Sequence, residues 1–204
     1  DLDNGAFEDI GDYVYNKRSI FYGVGSRLLF GRGSLNVNLT RNEISNKYDN
    51  NGSVTDNAGQ ITNAEAVVYY PLASFLDLTG GANFRLAETQ QNSSFSSLDA
   101  DNNISSVFSS FFFKLPGGFR AEVGGRFNSH SEFGENFTYT VNPSYVVDDK
   151  NKFFVNFSSA YKVPSLYQLY SEYGNLGMKP ETAKTFEAGF DFDRASSVIL
   201  NFAY

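Results

Sequence analysis

The chain has 204 residues and a formal net charge of −7, which disfavours nucleic acid as a partner because polyanions attract basic patches. It has no cysteine and one histidine, so disulfides, thiolate nucleophiles and cysteine-ligated metals are excluded. Phe 21, Tyr 13 and Gly 18 beside only 19% charged residues favour strands and turns, and no apolar run approaches the roughly 18–20 residues of a membrane-crossing helix.

The opening stretch, DLDNGAFED, reads as an oxygen-rich loop. The first clear alternation is SLNVNLTRN, with Leu35, Val37 and Leu39 on one face and Asn36, Asn38, Thr40 and Asn42 on the other. That is the two-residue period of a strand. A polar connection over 48–60 follows. FLDLTGGANFRLAE then sets Leu76, Leu78, Ala82, Phe84 and Leu86 against Asp77, Thr79, Asn83 and Arg85. A second polar connection covers 89–103.

In FRAEVGGRFNSH, Phe119, Ala121, Val123 and Phe127 oppose Arg120, Glu122, Arg126, Asn128 and His130. After a third polar segment at 129–136, Tyr139, Val141 and Tyr145 alternate with Thr140, Asn142 and Ser144. Phe153, Val155, Phe157 and Tyr161 then alternate with Asn156, Ser158 and Lys162. Beyond a fourth long connection at 163–180, Phe186, Ala188, Phe190 and Phe192 alternate with Thr185, Glu187 and Asp191, and Val198 to Tyr204 open one more strand.

About ten strands are expected, each near or above the roughly 9–11 residues that cross a tilted bilayer path, whereas soluble strands run about 5–6. Short turns at 31–33, 71–74, 116–118, 148–151 and 193–196 alternate with the four long polar connections. The fold class is therefore all-β and antiparallel, with one tidy end and one elaborate end, as in outer-membrane barrels. Periodicity alone leaves a soluble β-sandwich open. The polar face argues for a hydrated lumen, because it carries Asn, Ser, Thr and Gly with scattered charges rather than the Lys and Glu of a water-facing sandwich.

The expected lumen-facing polar set is Arg85, Arg120, Glu122, Arg126, Asn128, Lys162, Glu181 and Glu187. Lys184, Glu88 and Arg41 fall on apolar faces and are expected at strand ends. Tyr22, Phe30, Tyr70, Tyr145 and Tyr161 suit interfacial girdles.

Residues 153–192 contain Tyr161-Lys162, Val163-Pro164, a Leu- and Tyr-rich loop, Gly174-Asn175, Met178-Lys179-Pro180-Glu181 and Glu187-Ala188-Gly189. This succession resembles the TonB-dependent outer-membrane receptors, and the tyrosine loop with Tyr173-Gly174-Asn175 is most similar to the cobalamin (vitamin B12) receptor type. The Gly177-Met178 step departs from the family's usual spacing.

The resemblance implies a 22-stranded barrel in the bacterial outer membrane, closed by a plug domain and driven by the TonB energy-transducing complex. Residues 1–204 would be part of that barrel. The implied ligand is a scarce nutrient such as cobalamin, captured at Tyr161, Tyr167, Tyr170, Tyr173 and Asn175, with outer-membrane lipid and a surface lipoprotein as further partners. Asp1 reads as mid-loop and VILNFAY stops within a strand pattern, so a longer chain is expected.

The alternatives are a siderophore or haem receptor of the same family, a passive porin or adhesin barrel, and a soluble carbohydrate-binding sandwich. His130 is the one imidazole a haem could use. No cofactor is implied with certainty; Asp49, Asp99 and Asp101, in oxygen-rich loops, are candidate calcium ligands. No nucleophile–base pair, phosphate loop or acid pair points to an enzyme.

Overall fold

The computed structural model describes residues 13–50, 52–93, 97–148 and 151–192. The opening DLDNGAFED, the turn expected at 193–196 and the strand expected at its C-terminal side lie outside the described residues. Nine antiparallel strands form one sheet in chain order: β1 (Tyr13–Phe30), β2 (Gly33–Asn50), β3 (Ser53–Ala73), β4 (Leu76–Asn92), β5 (Ser97–Lys114), β6 (Phe119–His130), β7 (Gly134–Asp148), β8 (Asn151–Lys162) and β9 (Glu181–Phe192). Each strand pairs with its sequence neighbour, so the whole sheet is a meander of hairpins.

Burial runs opposite to that of a soluble domain. Ser34, Asp77, Asn102, Ser106, Asn128 and His130 are buried, and all six lie on the polar face. Val24, Leu28, Val107, Phe119, Phe137 and Phe153 are more than half exposed, and most of the large apolar residues on that other face are exposed with them. A curled sheet shelters its concave side, so the amide and hydroxyl rows line the inside and the Phe, Leu and Val rows look outward. Among the described residues no pair of apolar rows stacks into a dry interior, which removes the sandwich reading.

The outward band is continuous across strands because the register joins like with like. Leu39 lies opposite Ala64, which lies opposite Phe84; Phe111 lies opposite Val123, which lies opposite Val141. Near the short turns the band ends in aromatics. Phe30 stacks on Tyr70 at 6.1 Å and Phe119 meets Tyr145 at 4.7 Å. Gly33 sits beneath the first pair, where a Cβ would come within 2.5 Å of the Tyr70 ring. On the inner side Phe108 covers Gly81 and receives the Arg126 guanidinium at 5.4 Å.

Three expectations are corrected. The connections expected over 48–60, 89–103 and 129–136 are mostly strand: β2 continues to Asn50, β4 to Asn92 and β6 to His130 before tight reversals. Beyond the apolar band both faces meet water, so the alternation fades while the backbone ladder still closes its own hydrogen bonds. Asp49 then serves the β2–β3 reversal, accepting from the Gly52 N–H at 3.0 Å with Gly52 at φ +87°. For the same reason Arg41 and Glu88 lie inside β2 and β4 rather than at their ends. The turn expected over 71–74 begins later, since β3 absorbs Pro71 in an irregularity and runs to Ala73.

The rim is uneven. Strands β1 to β5 have 17–21 residues, whereas β6, β8 and β9 have 12 each and β7 has 15.

Facing decides what each side tolerates. Val107→Arg, on the outward band, should destabilise the intact barrel in lipid vesicles by about 2–4 kcal/mol, while Thr185→Arg on the inner face should cost under about 1 kcal/mol. Urea unfolding of the two variants beside the parent measures the difference.

Candidate functional site

Among the described residues only the connection at 163–180 is a true long loop, and it contains a helix that the alternation did not announce: α1 (Leu166–Tyr170). Pro164 fixes the exit from β8 and is buried. Ser165 then caps the helix. Its hydroxyl accepts from the Gln168 N–H at 3.2 Å, and the Gln168 side-chain oxygen accepts from the Ser165 N–H at 2.9 Å, a reciprocal capping box. The chain past the helix folds back: the Asn175 N–H donates to the Gln168 carbonyl at 2.9 Å, and Asn175 Oδ1 accepts from the Gly177 N–H at 2.8 Å. Gly174 is required by closeness, because a Cβ there would lie 2.6 Å from the Leu169 carbonyl oxygen.

The loop leans inward. Leu166 and Leu169 are 7% and 4% exposed, the only buried large aliphatic residues among those described, and they settle against the inner faces of β4 and β5. Tyr167 and Tyr173 are 58% and 82% exposed, so the leucines anchor and the tyrosines remain presented. Tyr170 makes the second tie, donating its hydroxyl to Glu132 Oε1 at 2.7 Å on the β6–β7 reversal. That bond raises the Tyr170 phenol above its ordinary range.

A cavity of about 350 Å³ lies between the loop and the wall. Ile44, Ile61, Ile104 and Leu166 give it an apolar lining, and Arg85, Asn42 and Tyr167 bring polar groups to it. Asn42 Oδ1 is buried without a hydrogen-bond partner, an acceptor left for something that enters. The three isoleucines sit on the otherwise polar face. That break in the polar period is visible in the sequence and marks the site.

His130 lines the same cavity at 4% exposure, beyond the outward apolar band. Its Nδ1 accepts from the backbone N–H groups of Glu132 at 3.1 Å and Phe133 at 3.4 Å, and its ring meets Phe133 at 5.1 Å. A neutral imidazole with the proton on Nε2 satisfies this geometry. Burial lowers its pKa below the ordinary value, partly opposed by the Glu132 carboxylate.

The other expected residues divide between the inner face and the rim. Arg126 donates to Asn128 Oδ1 at 2.9 Å and to Asn83 Oδ1 at 3.5 Å, and the Ser106 hydroxyl also donates to Asn128. Glu122 accepts from Ser110 at 2.6 Å and Asn142 at 3.3 Å. Glu187 accepts from Asn156 at 3.4 Å, while Glu181 pairs with Lys162 at 3.6 Å in an exposed contact that contributes little. Arg120 sits near the short-turn end of β6, opposite Lys114 and Ser144.

Tyr161 shares the outward face with Phe157 and lies outside the cavity, as a girdle residue would. Asp99 and Asp101 lie on β5, opposite Gln90 and Glu88. Among the described residues no three His, Asp or Glu converge as a metal set.

Two predictions follow from the cap and the histidine. Ser165→Ala should destabilise the loop by about 1 kcal/mol, read as faster amide exchange at Leu169 with the strand amides unchanged. The second concerns acid. A His130 pKa depressed in the fold means the unfolded turn binds the proton first, so stability present above about pH 6.5 is lost as pH falls below it. Exchange at the Glu132 and Phe133 amides, corrected for intrinsic rate, should rise on going from pH 7 to pH 5.

Several solved structures share this architecture. The ferric enterobactin receptor PfeA of Pseudomonas aeruginosa superposes with a TM-score of 0.81 at 20% identity, over 89% of this chain and 33% of that one. The siderophore receptor PirA of Pseudomonas aeruginosa gives 0.72 at 18%, over 89% and 37%. The copper transporter OprC gives 0.71 at 9%, over 89% and 36%. At these identities the likeness is one of fold, and the chain spans about a third of the length of the structures it matches. Residues 69–204 match the TonB dependent receptor-like beta-barrel family, and the chain belongs to that family.

Proposed function

We propose that these strands form wall and rim of an outer-membrane receptor that captures an iron–siderophore complex at its outer mouth and passes it inward with energy from the TonB complex. A plug domain outside these residues would close the lumen. The observation that carries the reading is the inward-docked loop at 163–180, which sets Tyr167 and Arg85 on a largely apolar cavity with an unsatisfied acceptor at Asn42. A receptor needs such a rigid, partly polar mouth more than a passive pore does. One superposed structure is named a ferric enterobactin receptor and another a siderophore receptor, which favours this ligand class over cobalamin.

Cobalamin is the second reading, kept by the resemblance of the tyrosine loop. Calcium at Asp49, Asp99 or Asp101 belongs with it, as does a surface lipoprotein over the mouth.

Uptake by cells carrying the intact receptor separates the two. Labelled ferric siderophores should accumulate only when TonB is present, and Arg85→Ala should weaken their binding on the order of tenfold through loss of a charged hydrogen-bond donor. Cobalamin uptake, with calcium dependence, in place of iron uptake would transfer the assignment to the second reading. TonB-independent leakage of both would leave a passive barrel.

A further inference from the structure

Three side chains on the cavity wall hold hydrogen-bond donors that no described residue accepts from, and the sheet register brings them together. Arg85 on β4 lies opposite Ile104 on β5, which lies opposite His130 on β6. Two strand spacings of about 4.8 Å put the Arg85 and His130 backbones roughly 10 Å apart across that isoleucine. Asn102, the next residue of β5 on this face, stands on the rim side of Ile104. All four line the cavity, with Leu166 and Tyr167 on the loop side.

Each of the three is set to donate. The Arg85 guanidinium forms no ion pair among the described residues. Glu65, the inward carboxylate of the adjoining strand, faces Asn83, and Glu88 lies on the outward face toward Arg41. His130 is 4% exposed, and its Nδ1 is engaged by the N–H groups of Glu132 and Phe133. That fixes the proton on Nε2, across the ring, so the cavity meets an N–H and not a lone pair. Asn102 is 9% exposed, and its amide can donate from the same wall. A buried donor without an acceptor is costly, and an entering oxygen relieves that cost.

We propose that Arg85, Asn102 and His130 form a clamp of donors for an oxyanion arm of the ligand, a catecholate or a carboxylate, seated against Ile104 beneath Leu166 and Tyr167. The clamp rests on the reading of this mouth as a siderophore site and narrows it to anionic chelates. One guanidinium supplies the charge, and two neutral donors fix where the oxygens lie. The isoleucine lining strengthens each of these bonds relative to water. His130 is then a ligand-binding residue in its own right, and its two nitrogens have separate tasks: Nδ1 holds the β6–β7 reversal, Nε2 holds the ligand.

That division makes the test. Binding to the intact receptor in detergent is measured by calorimetry with three probes: ferric enterobactin for the catecholate, ferric citrate for the carboxylate, and ferrichrome as an uncharged complex. One of the two anionic complexes should bind at least tenfold more tightly than ferrichrome. An asparagine oxygen can replace Nδ1 and a glutamine nitrogen can replace Nε2. His130→Asn should therefore weaken the anionic probe about tenfold while amide exchange at Glu132 and Phe133 stays slow, and His130→Gln should stay within about threefold of the parent while that exchange accelerates. Asn102→Leu, which leaves the reversal untouched, should weaken binding about fivefold. Heat-dependent gel mobility verifies that each variant is a folded barrel. Affinity that follows the exchange rates, full affinity in both His130→Asn and Asn102→Leu, or ferrichrome bound as tightly as the anionic probes would overturn the clamp and leave the siderophore reading standing. No binding of any ferric probe by the parent would sink that reading, and the clamp with it.

Discussion

The backbone ladder is the constraint on which everything else rests. Among the described residues the sheet has almost no buried apolar side chains, so it is not held by a hydrophobic core. It is held by pairing of each strand with the next, in registers that run nearly unbroken from the turns to the rim. In hydrocarbon an unpaired N–H or carbonyl costs several kcal/mol, and only a closed ladder avoids that. Once the ladder is satisfied, side chains are free to divide by solvent: Phe, Leu and Val outward, Asn, Ser and Thr inward. The polar interior is built by the same rule, with Arg126, Asn128, Ser106 and Glu122 satisfying one another at close range.

This division is why the wall was legible from composition and period. SLNVNLTRN and FRAEVGGRFNSH give their faces directly, and the structure keeps both assignments. The rim was not legible. Above the band, β2 carries Asn46, Lys47, Tyr48, Asp49 and Asn50 with water on either side, and a paired strand in that setting has the composition of a loop. Only tertiary pairing tells them apart. The five-residue helix was hidden for another reason: Leu166 and Leu169 are three apart, but too short a run separates Pro164 from Ser171 for a helical period to emerge. Its inward lean sets Leu166 on a cavity lined by isoleucines from three different strands, a conjunction no local reading supplies.

The candidate site joins these two regimes. Beneath it is a wall whose geometry is fixed by backbone pairing; above it is a loop held by Leu166, Leu169, one capping box and the Tyr170–Glu132 bond. Such a loop has few anchors relative to its length, so its stability is local and separable from that of the barrel. His130 lies buried under the same loop, lining the cavity with Leu166 and Tyr167. The loop and the β6–β7 reversal are in this way mechanically connected through Glu132, which accepts from Tyr170 on one side and offers its backbone N–H to the imidazole on the other.

The unequal strand lengths give this mouth a high side and a low side. Because the tyrosine loop springs from the short strands β8 and β9 and leans on the tall β4–β5 parapet, it slopes like a ramp set against a wall. The cavity between them is accordingly two-sided, with Tyr167 on the ramp and Arg85 on the inner face of the parapet.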